Sequence, residues 1–95
     1  MKDIRWDGSK NEKLKSERNV SFEAVLVAIQ QGNTLDDLIH PDREKYPNQR
    51  LLVVKIKEYA YLVPYVETDT EIFLKTIIPS RKATKQYLSG SNSNE

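Results

Sequence analysis

Arg50-Leu51-Leu52-Val53-Val54-Lys55-Ile56-Lys57-Glu58-Tyr59-Ala60-Tyr61-Leu62-Val63-Pro64-Tyr65-Val66-Glu67 decides the fold of this chain. Valine, isoleucine and tyrosine crowd it, and such residues fit a pleated surface better than a helix. Residues 50–57 and 59–67 read as two strands, and residues 71–78 as a third. The links at 57–60 and 67–70 are hairpin-sized, so the three segments form an antiparallel meander. Along the first strand Leu52, Val54 and Ile56 face one side, while Leu51, Val53, Lys55 and Lys57 face the other.

Beyond the meander, Pro79 is followed by Ser80, whose hydroxyl can cap a short helix over residues 80–88. That helix carries Arg81, Lys82 and Lys85. Upstream, residues 3–6 read as an edge strand. Ser9 with Glu12 has capping-box spacing and predicts a polar helix that stops near Asn19, a residue that tolerates the left-handed conformation. Ser21 caps a second helix with Phe22, Val25, Leu26 and Ile29 on one face, ending before Gly32. Residues 34–41 fit either a short strand or a helical turn. His40-Pro41-Asp42 and Tyr46-Pro47-Asn48 mark a loop. The expected architecture is α+β: two N-terminal helices on one face of a four- to five-stranded, mostly antiparallel sheet, with a short C-terminal helix. One domain spans 1–88, and 89–95 is read as a disordered polar tail.

The 95 residues, 38% hydrophobic and 31% charged, allow one modest core. Without cysteine there is neither a disulfide framework nor a thiolate metal site. No apolar run reaches the length of a membrane span, and the charged start is unlike a signal peptide, so the expectation is a soluble cytoplasmic protein. The net charge of +1 hides segregation. Lys2, Arg5, Lys10, Lys13, Lys15 and Arg18 cluster near the start. Arg43, Lys45, Arg50, Lys55 and Lys57 form a second group, and the residues around Arg81 a third. Acids collect at Asp36-Asp37 and around Glu67, Asp69 and Glu71. A basic face for RNA or an acidic protein fits this pattern, as does an ordinary solvated surface. No glycine-rich phosphate loop or helix-spaced carboxylate pair is present, which argues against nucleotide-dependent chemistry.

Several short motifs, in order, resemble those of the BrnT toxins, within the wider RelE-like group of bacterial toxin–antitoxin ribonucleases. They are Ile4-Arg5-Trp6-Asp7, Lys10, Asn19-Val20-Ser21-Phe22-Glu23, Gln49-Arg50 and Ile77-Ile78-Pro79-Ser80-Arg81-Lys82-Ala83-Thr84. Where that family usually has Lys-His-Gly, this chain has Glu17-Arg18-Asn19. RelE-like ribonucleases carry lysines on the first meander strand, Tyr-Arg on the second, an arginine after the last and a tyrosine beyond it. Lys55, Lys57, Arg81 and Tyr87 fall in matching places, with Ala60 after Tyr59 where the arginine would stand. The resemblance implies an RNA endonuclease without metal or other cofactor, an mRNA interferase that inhibits translation and growth. It also implies a cognate antitoxin with a DNA-binding domain, typically ribbon-helix-helix, in a toxin–antitoxin hetero-oligomer. DNA is reached only through the antitoxin, RNA free or on the ribosome, and no membrane is involved.

Metal-free RNA cleavage needs a 2′-hydroxyl to attack the neighbouring phosphate while cations hold the charge of the pentavalent intermediate. An up-down-up meander brings Lys55, Lys57, Tyr59, Tyr61, Arg81 and Lys82 to one end of the sheet. Arg81, Lys57 and Lys55 are therefore the expected catalytic cations, with Tyr87 or a lysine as acid or base. Arg50 belongs at the opposite end, across from Glu67, either in a surface ion pair or as a second catalytic or RNA contact. Lys82, Lys85, Lys10, Lys13 and the single histidine, His40, are the expected RNA contacts; His40 equally suits a turn. Trp6 suits a core anchor better than a stacking platform. Two rivals stay open: a non-catalytic RNA- or antitoxin-binding module of the same fold, and a gyrase-inhibiting toxin.

Overall fold

The computed structural model describes residues 2–88; the expected tail over 89–95 lies outside them. The chain is α+β, running β1 (Asp3–Trp6), α1 (Gly8–Arg18), α2 (Phe22–Gln30), β2 (Thr34–Ile39), β3 (Gln49–Ile56), β4 (Tyr59–Glu67), β5 (Glu71–Leu74), β6 (Ile78–Pro79) and α3 (Arg81–Tyr87). The sheet order is β1-β5-β4-β3-β2, with β6 beside β4. Only β1–β5 is parallel; the other pairs are antiparallel.

The meander is present, but with one strand more than expected. Residues 71–78 split into β5 and β6. Pairing with β4 ends at Tyr65↔Leu74 and resumes at Leu62↔Ile78, so Lys75, Thr76 and Ile77 oppose only Val63 and Pro64. That mismatch is a bulge, and it falls where Pro64, without an N–H, cannot complete a regular ladder. The ambiguous residues 34–41 supply β2, an edge strand whose register slips between Thr34 and Asp36.

The first helix is capped differently from the sequence expectation. Asp7, not Ser9, is the N-cap: its Oδ1 accepts from the backbone N–H of Ser9 at 2.8 Å and of Lys10 at 3.2 Å. An ionised carboxylate also meets the positive end of the helix dipole, which a serine hydroxyl does not. Asn19 ends the helix in the left-handed region, φ 57° and ψ 35°. Ser21 caps α2 as expected, accepting from Ala24 N–H at 3.1 Å. Between the helices, buried Asn11 accepts from Phe22 N–H and donates to Glu23 Oε1, both at 2.8 Å. It thereby satisfies one amide that the α2 N-terminus would otherwise leave bare.

Two apolar clusters follow from the alternation on β3. Leu52, Val54 and Ile56 join Leu14, Phe22, Val25, Ala28, Val63, Tyr65, Leu74 and Ile77 beneath α1 and α2. On α2 the fully buried face is Phe22, Val25 and Ala28, with Ile29 packed at its margin. Trp6 stacks on Phe22, ring centroids 5.6 Å apart, as a core anchor. Val53 turns to the other face and packs with Ala60, Leu62, Ala83 and Tyr87 under α3. Ser80 Oγ accepts from Ala83 N–H at 3.0 Å, so α3 starts where the sequence places it.

Candidate nucleic-acid interface

Register decides which side chains meet. Lys55 opposes Ala60 and Ile56 opposes Tyr59, so Lys57 and Glu58 form the two-residue β3–β4 turn. Both have positive φ, 52° and 67°. Turns of this kind favour Asn-Gly, because an L side chain in the left-handed region costs about 1–2 kcal/mol. A lysine and a glutamate here mark a strained, charged tip.

Ser80 N–H donates to the Ala60 carbonyl at 3.1 Å, while Ala60 N–H donates to Thr84 Oγ1 at 2.9 Å. These bonds seat the start of α3 beside the turn, and Arg81 stands exposed at that point. The turn, Tyr59–Tyr61 and Arg81 thus occupy one end of the sheet. Lys55 makes a long ion pair with Glu58, 3.8 Å. Among the described residues no carboxylate pairs with Lys57 or Arg81. Lys82 points along the opposite flank of α3, lining a cavity of about 370 Å³ with Asp36, Leu51, Val53 and Tyr87. Lys85 is exposed on the last turn of α3.

Tyr87 is not aimed at the cations. Its hydroxyl donates to Asp36 Oδ2 at 2.6 Å and ties α3 to β2. That hydrogen bond raises the phenol's pKa and lowers that of Asp36, where the Asp37 N–H assists. A phenol harder to deprotonate is a poor general base, which counts against that half of the acid–base part expected for Tyr87.

Arg50 does lie at the far end, but its partners differ from those expected. It opposes Tyr65, not Glu67. Its Nε donates to Asp37 Oδ1 and its Nη2 to the Asp37 carbonyl, both at 3.2 Å. The Tyr65 hydroxyl donates to the same carboxylate at 2.8 and 2.9 Å. Burial, then this hydrogen bond, push the Tyr65 phenol up to about 12. Tyr65 is five positions along β4 from Ala60, roughly 17 Å of strand. Arg50 and Arg81 therefore do not share a phosphate.

His40 sits at this far end too: its Nδ1 accepts from Asp42 N–H at 3.1 Å and its ring lies 4.6 Å from Tyr46. That is a turn residue's environment. Lys10 and Lys13 are on the first two turns of α1, with Lys13 exposed. Arg18, by contrast, is not among the expected contacts yet reaches the turn end, lining a cleft with Lys57. Its Nη1 donates to the Ile77 carbonyl at 2.7 Å. Its place in the basic cluster near the start of the chain was the available signal.

Among the described residues no three His, Asp or Glu side chains gather as a metal-holding group, and no helix is long and apolar enough to cross a membrane. The chain matches no protein-family model, no curated protein and no solved structure.

Proposed function

We propose that the chain is a BrnT-like toxin of RelE-like fold: an RNA endonuclease needing no cofactor, held inactive by an antitoxin. The observation that carries this reading is the turn end of the sheet. Lys57, Arg81 and Arg18 all belong to that end, Arg81 on the α3 face and Arg18 and Lys57 along the opposite cleft. None is in an ion pair among the described residues, and Lys57 stands in a turn at φ 52°. Strain and unpaired like charge are costly in a free protein and become useful when a polyanion arrives. The ordered sequence motifs add independent support.

In this reading Arg81 binds two phosphate oxygens through its planar fork, and Lys55 and Lys57 supply point charges. Together they neutralise the phosphorane formed when the 2′-hydroxyl attacks. An antitoxin would silence the protein by covering the same end, in keeping with a cytoplasmic toxin–antitoxin complex.

The test is incubation of pure protein with RNA in chelator, beside Arg81→Ala. Cleavage by the wild type, reduced at least 100-fold in the variant, is expected. Equal cleavage by both, or none by either, removes the assignment. A second reading, a binding module that cuts nothing, draws support from Ala60 in place of the RelE-like arginine and from the engagement of Tyr87 with Asp36. It predicts RNA binding without products.

A further inference from the structure

A cleft of about 340 Å³ opens on the side of the sheet away from α3, where the α1–α2 joint meets the β3–β4 hairpin. Lys15 and Arg18 enter it from the last turn of α1, Ser21 from the joint, and Ile56, Lys57 and Tyr61 from the hairpin. The geometry points to this cleft as a binding site for one nucleotide unit of RNA, its phosphate held by Arg18 and Lys57. The inference deepens the function proposed above, since it takes a polyanion to lie at this end, but it concerns a surface distinct from Arg81.

Three observations carry it. First, Arg18 is oriented: one guanidinium N–H is committed to the Ile77 carbonyl, and the rest of its five-donor fork remains for a ligand. That carbonyl is available because the bulge between β5 and β6 takes Ile77 out of the ladder. Second, no carboxylate lines the cleft; of its cations only Lys15 is in an ion pair, with Glu12 at 3.3 Å along α1. Cations in the last turn of a helix are expected from its dipole alone. Lys57 is not, because it arrives from another element in a conformation that disfavours it. Third, the volume lies in the range of small-ligand pockets, and the Tyr61 ring forms one wall. Tyr59 meets Tyr61 edge-on at 5.6 Å, and an aromatic ring at the cleft is a surface on which an unpaired base can stack.

The probe is a fluorescein-labelled 2′-O-methyl-RNA octamer, which lacks the nucleophile and cannot be cleaved. Arg18→Gln should weaken its binding about tenfold at low salt. The slope of log affinity against log salt should flatten by about 0.7 per lost phosphate contact. Lys57→Asn should act in the same direction while keeping a residue that accepts positive φ, and it serves as the readout should Arg18→Gln melt early. In the wild type the Arg18 Nε–H NMR resonance should shift on titration with the octamer. Wild-type affinity and slope in both variants, or an Arg18 resonance that stays in place, overturns the cleft site even where Arg81→Ala abolishes cleavage. Weakened binding in Arg18→Gln alongside unimpaired cleavage by Arg81→Ala keeps the cleft and removes the catalytic assignment of Arg81.

Discussion

The two ends of the β3–β4 hairpin differ in how many of their cations are paired. At the far end three cations are paired with carboxylates, Lys2 with Glu67 at 2.6 Å, Arg5 with Glu71 at 3.8 Å and Arg50 with Asp37, while Arg43 is in no described ion pair. A cavity of about 460 Å³ opens there, but its lining mixes Lys2, Arg43 and Arg50 with Glu67 and Asp69. At the turn end Lys15 pairs with Glu12 and Lys55 with Glu58, but Lys57 and Arg81 are in no described ion pair and Arg18 has only a carbonyl. Charge count therefore says little about which end meets an anion. Pairing says more: a neutralised cation offers a ligand only what remains after its internal partner, whereas an unpaired one offers its full field.

The largest expected effect contrasts the ends directly. Arg81→Ala should lower RNA cleavage at least 100-fold with an unchanged melting temperature, because the side chain is exposed. Asp37→Ala should do the reverse. It strips the acceptor from Tyr65 and Arg50 and should cost about 1–2 kcal/mol in a denaturant titration, with cleavage intact. Lost cleavage in Asp37→Ala would erase the distinction between the ends.

The turn offers a finer probe. Replacing Lys57-Glu58 by Asn-Gly relieves two left-handed side-chain conformations and should stabilise the fold by about 1 kcal/mol. RNA binding should fall in the same protein. A variant that is more stable and binds RNA equally well would show that the lysine is not kept for a ligand.

The smallest effect is a pH dependence confined to the far end. The Tyr65 phenol is shifted upward in the fold, so folding favours its protonated form. Its contribution is complete below the ordinary tyrosine value near 10 and is lost as pH rises through about 12. Wild type should lose more stability than Tyr65→Phe over that interval, measured by chemical denaturation at each pH. Parallel curves would remove the linkage. On the other face Asp36 has the opposite sign: its lowered pKa supports the Tyr87 tether above the ordinary carboxylate value near 4 and ceases to do so as acid protonates it.

Periodicity placed the meander, the helices and the faces of β3, because side-chain direction alternates along a strand whatever its neighbours are. Local chemistry placed Ser21, Ser80 and Asn19 at helix ends, since a cap needs only the next few residues. The same local reasoning failed at Ser9, where a stronger acceptor two residues earlier takes the amides. Partners across strands were not legible. Arg50 was assigned Glu67 from a hairpin register two residues off, while Asp37 comes from an edge strand that sequence left undecided. Arg18 was passed over because nothing near it in sequence shows that Ile77 leaves the ladder.

By itself, then, the sequence determined the element types, which faces are apolar and where most helices start, all consequences of interactions within a few residues. Tertiary structure alone decided that β2 joins the sheet edge, that Asp36 and Asp37 engage tyrosines on opposite faces, and that Arg18 and Lys57 border one cleft. Those outcomes depend on register and on the bulge opposite Pro64. Each sums many distant contacts into a shift of one or two residues, and a shift that small replaces every neighbour a charged side chain meets.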